Sequence, residues 1–124
     1  VSDYKVKNYK NEKIKKKENL NLNLTKNIDI LSNISKHNSL RPKLTIGFAA
    51  ETDNIVANAK NKRDKKGCDW LLANDVSAES GTFGGSKNTI HFINDSGIED
   101  WPEMTKKEVA ETLSEKIIRC FNEK

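Results

Sequence analysis

Leu20, Leu22 and Leu24 alternate with Asn21, Asn23 and Thr25, the period of two that a half-buried strand requires. Ile30, Leu31 and Ile34 then recur at helical spacing, and Asn27 is placed to cap a short helix. Arg41-Pro42 closes this unit, because a residue before proline is biased away from the helical region. From Lys43 the pattern changes to alternating strand and helix. Leu44 to Ala50 is an apolar run of strand length, as expected where both faces of a parallel sheet are covered. Thr52 is the expected N-cap of a helix ending near Lys66, with Asp53 in its first turn and Gly67 as its C-cap. Ile55, Val56 and Ala59 give that helix a thin apolar stripe, while Lys60, Lys62, Arg63, Lys65 and Lys66 load its last turns with positive charge. Asp69 to Ala73 is the next strand, completing a βαβ unit whose crossover is expected to be right-handed.

A glycine-bearing loop from Asn74 to Lys87 follows, long for a small domain. Asn88 to Asn94 reads as a strand that turns at Asp95-Ser96-Gly97 into a short edge segment reaching Trp101. Thr105 and Glu108 form a capping box for a last helix whose buried stripe is Val109, Leu113, Ile117 and Phe121, with Cys120 beside it. The pattern predicts an α/β fold with a mainly parallel, Rossmann-like sheet and flanking helices.

Composition narrows the choice. A chain of 124 residues with 35% hydrophobic content makes one modest domain. No apolar run approaches the ~20 residues that cross a bilayer. Val1 to Lys17 is lysine-rich and no apolar segment follows it, so neither a membrane nor a secretory route is expected, and the cytoplasm is. Cys68 and Cys120 stand far apart, which predicts two reduced and mostly buried thiols. The opening Val1-Ser2-Asp3-Tyr4 reads like the end of a strand without an initiator Met, which predicts sequence upstream. Seven lysines against Asp3 and Glu12 give residues 1 to 17 a charge of +5, so the overall +4 leaves −1 for everything after them. A local basic segment of this kind attracts phosphate, whether on a polymer, a membrane surface or a nucleotide.

In open α/β sheets the ligand crevice lies outside the carboxyl ends of the strands. Phe48 offers a flat face for a nucleobase there, against the plainer role of a core phenylalanine. Asn74 and Asp75 offer an amide and a carboxylate, against ordinary turn chemistry. Lys13, Lys15, Lys16 and Lys17 form either a solvated loop or a flap that closes over a polyphosphate. Lys62 and Lys66, four apart on one helix face, repel each other unless an anion relieves them; a solvated basic face is the competing reading. His37 and His91 have no partner spacing. The sequence holds no Ser-His-Asp pattern, no GxGxxG and no Walker loop, since Gly81, Gly84 and Gly85 lack the lysine and hydroxyl residue.

Ser2-Asp3-Tyr4 with Glu12-Lys13-Ile14-Lys15-Lys16, Gly47-Phe48-Ala49-Ala50-Glu51-Thr52 and Ala73-Asn74-Asp75-Val76-Ser77 together resemble phosphopantothenate–cysteine ligase, in the right order over nearly the whole chain. The resemblance implies an enzyme of coenzyme A synthesis that uses CTP to activate 4'-phosphopantothenate as an acyl-cytidylate, which the amine of cysteine then attacks. It also implies residue roles. Asp3 helps bind the cytidine nucleotide, and Lys13 is the catalytic flap lysine that also contacts it. Asn27, Ile28, Asp29, Ile30 and Leu31 form the helix-start stretch whose backbone reads the cytosine. Phe48 is the base-side aromatic, Lys62 and Lys66 lie near the phosphates, and Asn74 is a possible substrate-site residue. Mg²⁺ or Mn²⁺ is the implied ion, and FMN is expected only if a flavin-dependent decarboxylase domain precedes this one.

The same resemblance implies a homodimer, for which the Leu20 to Leu24 strand is a pairing element. It divides the chain into a lysine-rich flap, residues 1–19, and the C-terminal portion of a nucleotide-binding ligase domain, residues 20–124. Ile28 departs from the family's usual proline, so the helix start is less pre-organised. The family's glycine-rich N-terminal strands, with the asparagine that holds the acyl-cytidylate, have no counterpart here, so the sheet is expected to be incomplete at its N-terminal side and the isolated chain inactive. The rival reading is a non-catalytic basic α/β module that binds RNA or DNA. Only Tyr4 and Tyr9 are interleaved with the lysines, which argues against it.

Overall fold

The computed structural model describes residues 2–77 and 85–123. Residues 78–84 of the expected loop, with Gly81 and Gly84, lie outside that range. A two-stranded antiparallel hairpin, β1 (Tyr4–Val6) and β2 (Leu24–Lys26), pairs Tyr4 with Lys26 and Val6 with Leu24. Strand structure in this region is confined to those short segments. Leu20 and Leu22 lie outside β2 and are exposed, so their alternation does not mark a half-buried strand.

Helix α1 (Ile30–Ser35) follows, and its N-cap is Asp29 rather than Asn27, the Asp29 side chain accepting from the Ser32 amide at 3.0 Å. Asn27 is engaged elsewhere. Its side chain donates to the Ser2 carbonyl at 2.8 Å, and its amide donates to the Asp3 carbonyl at 2.8 Å. Of the three expected apolar residues on α1, Leu31 packs on the core while Ile30 and Ile34 are exposed.

The central sheet has four strands in the order β3-β4-β6-β7, where β3 is Ile46–Glu51, β4 Trp70–Asp75, β6 Ile90–Asn94 and β7 Gly97–Asp100. Only β3 and β4 are parallel, joined through α2 (Ile55–Lys66); β4–β6 and β6–β7 are antiparallel. The sheet is therefore mixed, not mainly parallel. The tight Asp95-Ser96 turn, with Gly97 at φ 130°, returns the chain beside β6 and enforces an antiparallel neighbour. Lys87–Asn88 (β5) leaves the expected Asn88–Asn94 strand to pair instead with Met104–Thr105 (β8).

Helix α2 begins two residues later than the sequence predicts. Asn54, in the left-handed region at φ 42°, precedes its first residue, and Thr52 and Asp53 lie outside it. Gly67, at φ 69°, closes α2 as expected. Helix α3 (Lys106–Asn122) carries the complete Thr105–Glu108 capping box. Val109 of its stripe is buried, but Phe121 and Cys120 at its far end are exposed, so only Cys68 fulfils the expectation of a buried thiol.

Side chains alternate across the sheet and build two clusters. Toward α2 lie Ala59, Cys68, Leu71, Ala73 and Ile93; toward α3 lie Leu72, Ile90, Phe92, Trp101 and Val109. β3 is an edge strand, and the α3 side does not close over it. Phe48 remains 67% exposed, contrary to the expectation of a strand covered on both faces.

Candidate functional site

Pairing of β1 with β2 places Ser2-Asp3-Tyr4 beside Lys26-Asn27, although more than twenty residues separate them in sequence. The chain then enters α1, whose Leu31 seats against Gly47 of β3. A Cβ on Gly47 would meet Leu31 Cδ2 and Leu71 Cδ1 at 2.7 Å each, so the absence of a side chain there lets α1 lie directly on the strand. The result is a cleft of about 730 Å³ between hairpin, α1, β3 and the end of α2. Asp3, Asn27, Ile28, Asp29, Ile30, Leu31, Phe48 and Lys66 all line it, together with Tyr4, Lys26, Ile46 and Gly47.

Two of the charges lining the cleft, Lys66 and Asp29, form an ion pair. Lys66 Nζ donates to Asp29 Oδ2 at 2.8 Å. That contact first, and the Ser32 amide second, hold the Asp29 carboxyl below the usual carboxylate range. The end of α2 is tied to the α1 unit by further cations. Lys36 donates to the Lys65 carbonyl, and Arg41 donates to the carbonyls of Ser35 at 2.7 Å and Gly67 at 3.3 Å and to Asp69 Oδ1 at 3.0 Å. Cations at a helix C-terminus are favourable because the last carbonyls have no intrahelical partner.

Three predicted residues lie apart from this cleft. Lys13 is exposed in the irregular segment between β1 and β2 and does not line it. Lys62 is paired with the buried carboxylate of Glu51 at 2.5 Å, so it and Lys66 do not face one another as a naked like-charge pair; each has a carboxylate of its own. Asn74 borders a second groove of about 370 Å³ on the other side of Phe48, with Ala50, Leu72, Asn88, Ile90, Lys106 and Val109. Register explains this placement: Phe48 pairs with Leu72 and Ala50 with Asn74, so Phe48, Ala50 and Asn74 share one face of the sheet. Asn74 Nδ2 donates to Asn88 Oδ1 at 2.9 Å, while Asn74 Oδ1 is buried with no hydrogen-bond partner among the described residues.

Sequence reasoning missed Gly47, Lys26, Asn88 and Lys106 as lining residues. Gly47 alone carries a readable signal, since a glycine inside a strand pattern marks close approach of another element. Cys68 is no nucleophile: burial pushes its thiol up. Among the described residues no group of three or more His, Cys, Asp and Glu side chains gathers to hold a metal ion, and no helix is long and apolar enough to cross a membrane.

Over residues 1–121 the chain matches the family described as DNA/pantothenate metabolism flavoprotein C-terminal domain. It is 40% identical over 116 residues to the coenzyme A biosynthesis bifunctional protein CoaBC of Borreliella burgdorferi, a match covering 91% of this chain and 28% of that protein. To the protein of the same name from Escherichia coli K12 it is 33% identical over 128 residues, covering 100% of this chain and 31% of the relative. Its fold is similar to a crystal structure of the C-terminal domain of CoaBC, with a TM-score of 0.65 and 28% identity over 83% of this chain and 46% of that one. The DNA/pantothenate metabolism flavoprotein of Streptococcus pneumoniae gives a TM-score of 0.58 at 28% identity, over 77% and 40%. The chain spans less than a third of the two curated relatives it matches here. A match of this extent, together with the shared fold, makes the chain a member of the DNA/pantothenate metabolism flavoprotein C-terminal domain family.

Proposed function

We propose that this chain is the nucleotide-gripping part of an enzyme of coenzyme A biosynthesis, a ligase that joins 4'-phosphopantothenate to cysteine at the expense of CTP. The observation that carries the reading is convergence. Asp3, the 27–31 stretch, Phe48 and Lys66 come from separate segments of the sequence and line one cleft. In this reading the Phe48 ring stacks on the cytosine, and backbone groups at the start of α1 read its edge. Asp3 holds the nucleotide, and Lys66 meets the phosphates, joined by Lys13 when the leader folds inward. The carboxylate of 4'-phosphopantothenate attacks the α-phosphorus and pyrophosphate leaves; the amine of cysteine then displaces CMP from the acyl-cytidylate and loses its proton. Attack of an anion on a phosphate needs nearby positive charge that is in place before the reaction, and this is the contribution of the lysines.

Among the described residues no group of three or more His, Cys, Asp and Glu side chains gathers to hold Mg²⁺ or Mn²⁺. Parts of the site beyond the nucleotide grip belong, in this reading, to polypeptide outside the chain, and the enzyme works as a pair of copies. The test supplies the full natural polypeptide with 4'-phosphopantothenate, cysteine and each nucleoside triphosphate in turn, and follows pyrophosphate release. Release with CTP is expected. Release with ATP alone would overturn the nucleotide assignment, and release with neither would remove the enzyme reading.

A further inference from the structure

We propose that Asp29 is a positioning residue, which aims Lys66 at the phosphate end of the cleft while capping the helix whose start lines the same cleft. The inference rests on the nucleotide reading above and adds to it a role for a side chain that the resemblance engages only through its backbone. Lys66 is a flexible four-carbon cation at the end of α2, and its side chain is partly exposed. Unrestrained, it would sample many rotamers, and each binding event would have to order it. Its own helix end does not need it, because Lys36 and Arg41 already serve the carbonyls of Lys65 and Gly67. Asp29 is well suited to hold it. Oδ1 is fixed by the Ser32 amide at 3.0 Å, which leaves Oδ2 directed at Lys66 Nζ at 2.8 Å. An ammonium has three donors, so two remain for a phosphate after Asp29 takes one. A single carboxylate therefore couples the helix-start stretch to a cation that lines the same cleft.

Asp29→Ser separates these two duties. Serine is as good an N-cap as aspartate and can still accept from the Ser32 amide, but it cannot neutralise or reach Lys66. In calorimetric titrations of the full natural polypeptide, CTP binding by Asp29→Ser is expected to weaken about two- to fivefold, the range of a half-exposed ion pair. Binding of cytidine, which has no phosphate, is expected not to change. In a Lys66→Met background the Asp29→Ser substitution is expected to add nothing. Tighter CTP binding would show that Asp29 competes with phosphate, and an equal loss of cytidine would show that it acts only through the cap; either result overturns the proposal. An unchanged CTP affinity, or the same loss without Lys66, overturns it as well. Failure of the unaltered protein to bind CTP would instead bring down the nucleotide reading and this inference together.

Discussion

On the α3 face of the sheet, Phe92 stacks on Trp101 with ring centroids 5.7 Å apart and meets Trp70 edge-on at 5.2 Å, beneath Val109 of a helix with one clear apolar stripe. On the α2 face the cluster is made of small side chains, Ala59, Ala73 and Cys68 beside Leu71 and Ile93. There the helix is fastened by charge: Lys62 to Glu51, Arg63 to Asp95 and to the Asp69 carbonyl, and Lys66 to Asp29. One face gains most of its stability from area removed from water, which charge screening does not weaken, although Lys116 of α3 also pairs with Glu99 at 2.7 Å. The other is held by ion pairs that an incoming anion can share or rearrange. The cleft opens at the β3 edge, where Gly47, α1 and the end of α2 meet, and the polyanion site proposed there would be served by cations that are already ordered but not committed to a dry core.

The comparison makes the α3 face the main source of stability. Phe92→Ala is expected to cost about 3–5 kcal/mol, equally at low and high salt, in chemical denaturation. A cost below that of Lys62→Met would show that the α3 face is not the main source of stability. Lys62→Met leaves the Glu51 carboxylate buried without its ammonium, and because Lys62 is itself half-exposed the expected cost is smaller, about 1–3 kcal/mol. Burial makes this pair less responsive than the exposed ones, but its cost should still shrink in ~1 M salt while that of Phe92→Ala stays constant. No salt response would mean that Lys62 acts through its aliphatic stem.

The smallest effect is a pH dependence at Asp69. Burial tends to raise this carboxyl, but the Arg41 guanidinium and the amide and hydroxyl of Thr45 outweigh it and hold the group below its ordinary range. Its folded-state pKa is thus below that of the unfolded chain. Its contribution is fully present above the ordinary carboxylate value of about 3.9 and is lost as pH falls through the lower folded value. Urea midpoints measured from pH 6 downward should fall less steeply in Asp69→Asn than in the unaltered protein, and parallel acid limbs would exclude this ion pair as a source of acid sensitivity.

Much of the fold was legible because local chemistry and tertiary structure agree. The Thr105–Glu108 box, the Gly67 C-cap and the turn at Asp95-Ser96-Gly97 depend on a few adjacent residues, and each stands where the pattern puts it. Errors arose where a local preference was overruled from a distance. Asn27 has good capping chemistry but is drawn to the backbone of Ser2 and Asp3, which leaves the cap to Asp29. Of the Leu20 to Leu24 alternation only Leu24 gains a partner strand, since β1 pairs with Leu24–Lys26. The carboxylates that Lys62 and Lys66 each meet come from other elements, which their spacing on the helix does not foretell.

The sequence by itself determined which segments are strands or helices through most of the α/β core, because hydrophobic period, caps and turns act over a few residues. It also carried the motifs on which the proposed nucleotide site rests. Only the tertiary structure decided that β6 runs antiparallel to β4, that Phe48 stands open on an edge strand, and that Asp3, Asp29 and Lys66 face one cleft. Those outcomes depend on which distant strand supplies a hydrogen-bonding edge and which distant charge lies within a few ångströms, and neither is encoded in the spacing of nearby residues.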